Sequence, residues 1–239
     1  MERFACVTGA DHGLGYAFAE GLLQRGYSVF AGLYRPISEE LERLAENHPG
    51  KLLPLDLDIS SDASVTAAAE RIRETTDRLE LLINNASILG DITATAADKL
   101  DFEQMKDVFN VNALGALRVS NALLPSLLRG ESRLIVNISS EAGSIGTCWR
   151  DGWFAYCMSK AALNMQSAIV HNELRKSGGQ AMVFHPGHVR TFMRGHLDET
   201  GSLTPAESAG HILGLIARHE EFRGEHPVFL SYDGTPMEW

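Results

Sequence analysis

Apolar residues along the chain fall into short, unbroken runs separated by longer stretches in which they recur every three or four positions. FACVT (4–8), YSVFAGL (27–33), KLLPLDL (51–57), LELLIN (79–84), RLIVNIS (133–139), AMVFH (181–185) and PVFLS (227–231) read as strands. Most of them are continuous rather than alternating, which predicts strands covered on both faces. Helical patterns lie near 13–25, 38–47, 62–77, 100–129, 153–177 and 205–219, and Gly50, Gly130, Gly178 and Gly179 stand where helices should stop. The repeating β-α order predicts an α/β fold: one doubly wound, Rossmann-type parallel sheet of about seven strands, helices on both faces, right-handed crossovers. No linker, internal repeat or low-complexity tract interrupts the pattern, so residues 1–239 are expected to form one domain.

In such sheets a ligand binds beyond the carboxyl ends of the strands, where strand order reverses. The residues that follow each strand therefore matter most. The first strand ends in Thr8-Gly9-Ala10-Asp11-His12-Gly13-Leu14-Gly15, the fourth in Asn84-Asn85-Ala86-Ser87, the fifth in Ser139-Ser140 and the sixth in His185-Pro186-Gly187. Glycines between a strand and a helix let the backbone turn tightly, approach a pyrophosphate and aim helix N-terminal N–H groups at it. Thr8, Gly9, His12, Gly13, Leu14 and Gly15 are thus candidates to hold the phosphates of a dinucleotide. The spacing is GxxxGxG rather than the familiar GxGxxG, and three glycines in a turn can also be mere punctuation.

The end of the second strand bears on which dinucleotide. A carboxylate there would accept from a ribose 2′-hydroxyl and repel a 2′-phosphate, but the sequence is Leu33-Tyr34-Arg35. Arg35 can bind a phosphate bidentately, which favours NADP. Asp11 in the glycine loop points the other way, so NAD stays as the alternative. Asp58, after the third strand and followed by Ile59, is placed to hold an adenine amino group; a helix N-cap is the competing reading.

The segment WFAYCMSKAALNM (153–165) sets Tyr156 and Lys160 on one helical face, one turn apart. A free phenol has a pKa of roughly 10, and lowering it by three units takes about 4 kcal/mol of differential interaction. A neighbouring ammonium, with the field of a nicotinamide cation, is expected to supply it. Tyr156 would then exchange a proton with a carbonyl oxygen while a hydride moves to or from the carbonyl carbon. Ser140, at a strand end, could hold that oxygen. The competing reading is a core tyrosine beside a snorkelling lysine.

Composition removes other classes. With 21 Lys+Arg against 31 Asp+Glu, the formal charge is −10, which disfavours nucleic acid or an anionic membrane as partner. Cys6, Cys148 and Cys157 have no CxxC spacing and read as small buried thiols in a reducing compartment. No signal-peptide pattern or membrane-length apolar run is present, so a cytoplasmic protein is expected. His185 and His188 flank a Pro-Gly turn without further ligands at metal spacing, and no GxSxG elbow suggests a hydrolase. No metal is expected.

TGADHGLG, NNAS, NISS, YCMSK and HPGHVRT, in that order, resemble the short-chain dehydrogenases/reductases over essentially the whole chain. The resemblance implies an NAD(P)-dependent oxidoreductase acting on a small carbonyl or alcohol, with Tyr156 as general acid/base. It also implies Ser140 rather than Ser139 as the catalytic serine, and Asn112 in a water-linked proton relay to Lys160. Lys160 would hold the nicotinamide ribose, and Asn85 and Ala86 would line the cofactor channel. Pro186 and Gly187 would border that channel, while Val189 and Thr191 would meet the carboxamide and phosphate regions. A homodimer or homotetramer, paired through the long fourth and fifth helices, is expected by the same resemblance. The tail LTPAESAGHILGLI…FRGEHPVFLSYDGTPMEW is similar to that of C-factor-like carbonyl reductases.

Several positions depart from the pattern. Ser87 replaces the usual glycine of NNAG, which should restrict the backbone there. Fifteen residues separate Ser140 from Tyr156, a long loop whose Trp149, Arg150 and Trp153 are expected in the wall of the substrate pocket, with His188 nearby. Residues 190–202 have the character of a lid. A non-catalytic NAD(P)-binding signalling or redox-sensing protein would show a broken Ser-Tyr-Lys-Asn set, and here the set is intact. Epimerase or dehydratase chemistry on this fold would need a larger C-terminal substrate region.

Overall fold

The computed structural model describes residues 2–239. The apolar runs form strands β1 (Arg3–Thr8), β2 (Tyr27–Leu33), β3 (Leu52–Asp56), β4 (Leu81–Asn84), β5 (Leu134–Ile138), β6 (Gln180–His185) and β7 (Val228–Ser231). They pair in parallel as one sheet in the order β3-β2-β1-β4-β5-β6-β7. Side chains alternate between the faces, so Ala5 and Val7 of β1 enter one core layer and Cys6 the other. Burial on both faces is why the runs are unbroken.

The helices are α1 (Gly13–Gln24), α2 (Glu39–Asn47), α3 (Asp62–Thr75), α4 (Phe102–Phe109), α5 (Ala116–Leu127), α6 (Phe154–Leu174) and α7 (Pro205–Ala217). Helices α1, α2 and α7 cover one face through Phe18, Leu22, Leu41, Leu44, Ile212 and Ile216. The other face is covered by α3, α5 and the end of α6, through Val65, Ile72, Leu123, Leu127 and Leu174. The helix expected at 100–129 is continuous, but a π-helical turn, Asn110–Gly115, joins α4 to α5. Helix α6 ends at Leu174 and tightens into a 3-10 turn through Ser177, where Gly178 adopts φ +76°.

Sheet order reverses between β1 and β4, and the loops after β1, β4, β5 and β6 meet at that edge. Thr8 ties two of them, its hydroxyl accepting from the Asn85 and Ala86 N–H groups at 3.0 Å each. Two expectations fail. Only Cys6 of the three cysteines is buried, since Cys148 is exposed and Cys157 half-buried; the second and third lie on or beside the loop over the cleft, not in the core. Ser87 carries no left-handed backbone, so the missing glycine restricts nothing, and its hydroxyl instead donates to Asn112 Oδ1 at 3.0 Å.

Candidate active site

The glycine loop is shaped by close approach. A Cβ on Gly15 would lie 1.9 Å from the Gly9 carbonyl, and one on Gly9 would meet the Ala86 backbone at 2.9 Å. Gly9 and Gly13 also have φ of +65° and +57°, a region that costs other residues strain. The Asn85 amide donates to the carbonyls of Thr8 and Gly9 at 3.0 and 3.2 Å, which fixes the loop to the end of β4. His12 caps α1 without a side-chain hydrogen bond, so the first N–H groups of the helix remain available to an anion. Thr191 faces them: its methyl lies 3.7 Å from where a Cβ on Gly13 would stand.

Other residues expected at a cofactor are placed differently. The side chains of Leu14 and Ile59 are buried in the two core layers, so only their main chains can face a ligand. Asp58 is not the cap of α3, because that cap is Ser61, which accepts from Ser64 N–H at 3.3 Å. The Asp58 carboxylate accepts from the N–H and hydroxyl of Ser60 in a tight local turn instead. Arg35 is exposed at the end of β2, and Asp11 Oδ1 accepts from the Tyr34 N–H beside it at 2.7 Å.

The chemical end is built by β5 and α6. Ser139, 2 % exposed, donates to Asn164 Oδ1 at 2.7 Å and is spent in packing. Ser140 points the other way, and its hydroxyl oxygen accepts from the Ala142 N–H at 3.2 Å. Tyr156, 7 % exposed, has its phenol near enough to the Ser140 side chain for that hydroxyl to favour the phenolate. Lys160 Nζ lies 5.4 Å from the centre of the tyrosine ring and donates to the Ile138 carbonyl at 2.9 Å. The expected electrostatics are not met in the cofactor-free chain. Burial pushes the phenol up to about 12, with the Ser140 hydroxyl pulling back, and burial pushes Lys160 down to about 7. Desolvation outweighs the pairing, because each charged form loses its water.

Asn112 sits in the π-helical turn, a feature common at functional sites. Its amide donates to the Ile88 carbonyl at 2.8 Å and to Ser159 Oγ at 3.0 Å, while its oxygen accepts from Ile88 N–H at 2.8 Å. That side chain is saturated. Beyond β6, Gly187 turns with φ +79°, Pro186 O accepts from Ser208, and Val189 bridges to Leu203. Residues 188–200 close around Asp198, which accepts from the Thr200 N–H and hydroxyl and meets His188 Nε2 at 2.9 Å and Arg194 Nε at 3.4 Å. The Thr200 and His188 hydrogen bonds hold its carboxyl well below the usual range. Sequence reasoning missed Asp198, and likewise Ser159 and Asn164, because nothing local marks a residue whose partners come from other loops.

A profile of the short chain dehydrogenases matches residues 3–201. The chain belongs to that family. This short-chain dehydrogenase is 35 % identical to the C-signal of Myxococcus xanthus over 165 residues, 69 % of this chain and 95 % of the relative. An NADPH-bound carbonyl reductase from chicken fatty liver superposes with a TM-score of 0.86 at 34 % identity, covering 100 % of this chain and 99 % of the other. The carbonyl reductase Sniffer of D. melanogaster gives 0.87 at 27 % identity over 100 % of both chains. These likenesses bear out the resemblance to carbonyl reductases and make the protein an oxidoreductase of this family. Among the described residues, no helix is long and apolar enough to cross a membrane.

Proposed function

We propose that this short-chain dehydrogenase is an NADP-preferring reductase of aldehydes or ketones, or the corresponding alcohol dehydrogenase. The observation that carries it is the convergence of the Ser140 hydroxyl, the Tyr156 phenol and the Lys160 ammonium at the sheet edge that also bears the glycine loop. The cradle fits a dinucleotide: Gly9 and Gly15 leave no room for side chains, Gly13 takes a left-handed φ of +57°, and the main chain of His12–Gly15 offers N–H groups opposite Thr191. Arg35, exposed at the end of β2, is the group that would meet a 2′-phosphate. The NADPH-bound chicken enzyme supports this choice.

NADP, when bound, gives or takes the hydride and in its oxidised form adds a positive charge. The protein's own groups do the rest. Ser140 has a lone pair engaged by the Ala142 N–H, so its O–H is free to donate to a carbonyl oxygen. Tyr156 gives the proton to the developing alkoxide. Lys160 has three donors and spends one on Ile138, leaving two for ribose hydroxyls. Held near 7, it passes a proton at neutral pH. Asn112, its side chain committed, joins the relay through its main chain in the π-helical turn. Asp58 and the Ile59 main chain border the adenine end, and Asn85, Ala86, Pro186, Gly187 and Val189 shape the channel between.

The test is oxidation of NADPH and NADH against a panel of aldehydes and ketones, with wild type and Tyr156→Phe. NADPH should be preferred, and the variant should lose roughly 100- to 10,000-fold in kcat, the usual worth of a general acid. Its NADPH Kd should stay within about twofold. Equal loss of turnover and of cofactor affinity would make Tyr156 a packing residue and overturn the proposal.

A further inference from the structure

The loop between Ser140 and Tyr156 holds a cation that the chemistry above does not use. The Arg150 side chain is 9 % exposed, and its guanidinium carbon lies 4.6 Å from the centre of the Trp149 ring and 5.0 Å from that of Trp153. Nη2 donates to Glu141 Oε1 at 2.5 Å. Its Nε–H is buried, and no acceptor among the described residues reaches it. Buried donors nearly always find a partner, so an unmatched one beside a reaction centre points to an acceptor brought by the ligand.

The position fits that reading. Trp153 stands edge-on to Tyr156, ring centres 6.1 Å apart. The positive charge of Arg150 is felt at the Tyr156 phenol, at Cys157 and at His185, which sets it between the start of α6 and the end of β6. A second cation, Arg194, reaches the same Trp153 ring from the 188–200 segment, at 5.7 Å. Trp153 itself adopts φ +63°, an unusual conformation for a bulky residue, and its ring meets the two arginines and the tyrosine. Arg150 is paired with Glu141 and Arg194 with Asp198, so the unmatched Nε–H, rather than a net positive charge, distinguishes this place.

We propose that the site takes carbonyl compounds bearing a carboxylate, and that Arg150 is the residue that recognises it. The inference rests on the reductase reading above. A guanidinium set against two indoles presents its edge donors in one plane, the geometry that pairs with a carboxylate, and of these Nε–H is unmatched while Nη2 is held by Glu141. Glu141, half-exposed, occupies one nitrogen only and can yield to a substrate carboxylate. Neutral carbonyls gain nothing from the Nε–H except a weaker hydrogen bond.

The experiment compares an oxo acid with its own methyl ester as substrates, using NADPH. Wild type should favour the acid by about tenfold or more in kcat/KM. Arg150→Met should lose roughly 10- to 100-fold on the acid, mostly in KM, and less than about threefold on the ester. Arg150→Lys, with charge but no fork, should recover only part of the loss. Glu141→Gln removes the competing carboxylate and should lower KM for the acid while leaving the ester unchanged; it decides the matter if Arg150→Met does not fold. A wild type that favours the ester, or an Arg150→Met that falls equally on both, overturns the inference and leaves Arg150 as a loop brace. Failure to reduce either compound, or any carbonyl in the panel, would instead sink the reductase reading itself.

Discussion

Burial of Lys160 carries a cost that changes with pH. Its ordinary value of 10.5 falls to about 7 in the fold. Between those values the unfolded chain holds a proton that the folded chain has released, so stability rises with pH across the window. The penalty is largest at pH 7 and below, about 4–5 kcal/mol, and shrinks by about 1.4 kcal/mol per pH unit above it. In urea unfolding of the cofactor-free protein, Lys160→Met should therefore be more stable than wild type at pH 7. That advantage should shrink by about 2–3 kcal/mol at pH 9. A gap that does not move with pH would show that the amine keeps its proton in the fold. This residue also marks how far the sequence could be read. The Tyr156–Lys160 pairing is visible in the spacing alone, because a helix puts i and i+4 together. The direction of the shifts is not, because it depends on how much water the neighbouring loops and helices exclude.

At the scale of elements, the strands and helices were readable and the loops were not. β1, β4, β5 and β6 are continuous apolar runs, and the expected ends lie within one or two residues of those observed. What escaped was geometry made by distant partners: the π-helical turn at Asn110–Gly115, the left-handed Trp153, and the closure of 188–200 on one carboxylate. The expected lid at 190–202 is thus a folded loop whose order hangs on Asp198. Asp198→Asn keeps the shape but weakens the bonds from His188, Arg194 and Thr200, since charge-assisted hydrogen bonds are the stronger kind. Amide exchange at 198–203 should quicken by roughly tenfold or more while exchange in β5 and β6 stays unchanged, because local opening and global unfolding are separate events. Unchanged exchange in that segment would mean that its packing against Leu203 and Val189, not the carboxylate, holds it.

The whole molecule presents a surface that its own fold leaves uncovered. On α6, Met158, Met165 and Ile169 are 51 %, 64 % and 63 % exposed, and their spacing sets them along one stripe. The helix running through α4 and α5 adds Phe102, Leu114 and Leu117 at 63 %, 48 % and 39 %. Single exposed apolar residues need no explanation, but a row of them on adjoining helices marks an interaction surface. An isologous contact between two copies would bury both rows at once, and the sequence resemblance leads to the same pairing. Sedimentation velocity at micromolar concentration should show a dimer or tetramer. Ile169→Glu combined with Leu117→Glu places charges in the contact and should shift the protein to monomer. The folded core should survive, because both side chains already face solvent in the isolated chain. NADPH binding should survive as well, since the glycine loop, Ser140, Tyr156 and Lys160 all come from one chain. A wild type that sediments as a monomer, or a double variant that keeps its assembly, would remove this face from the interface.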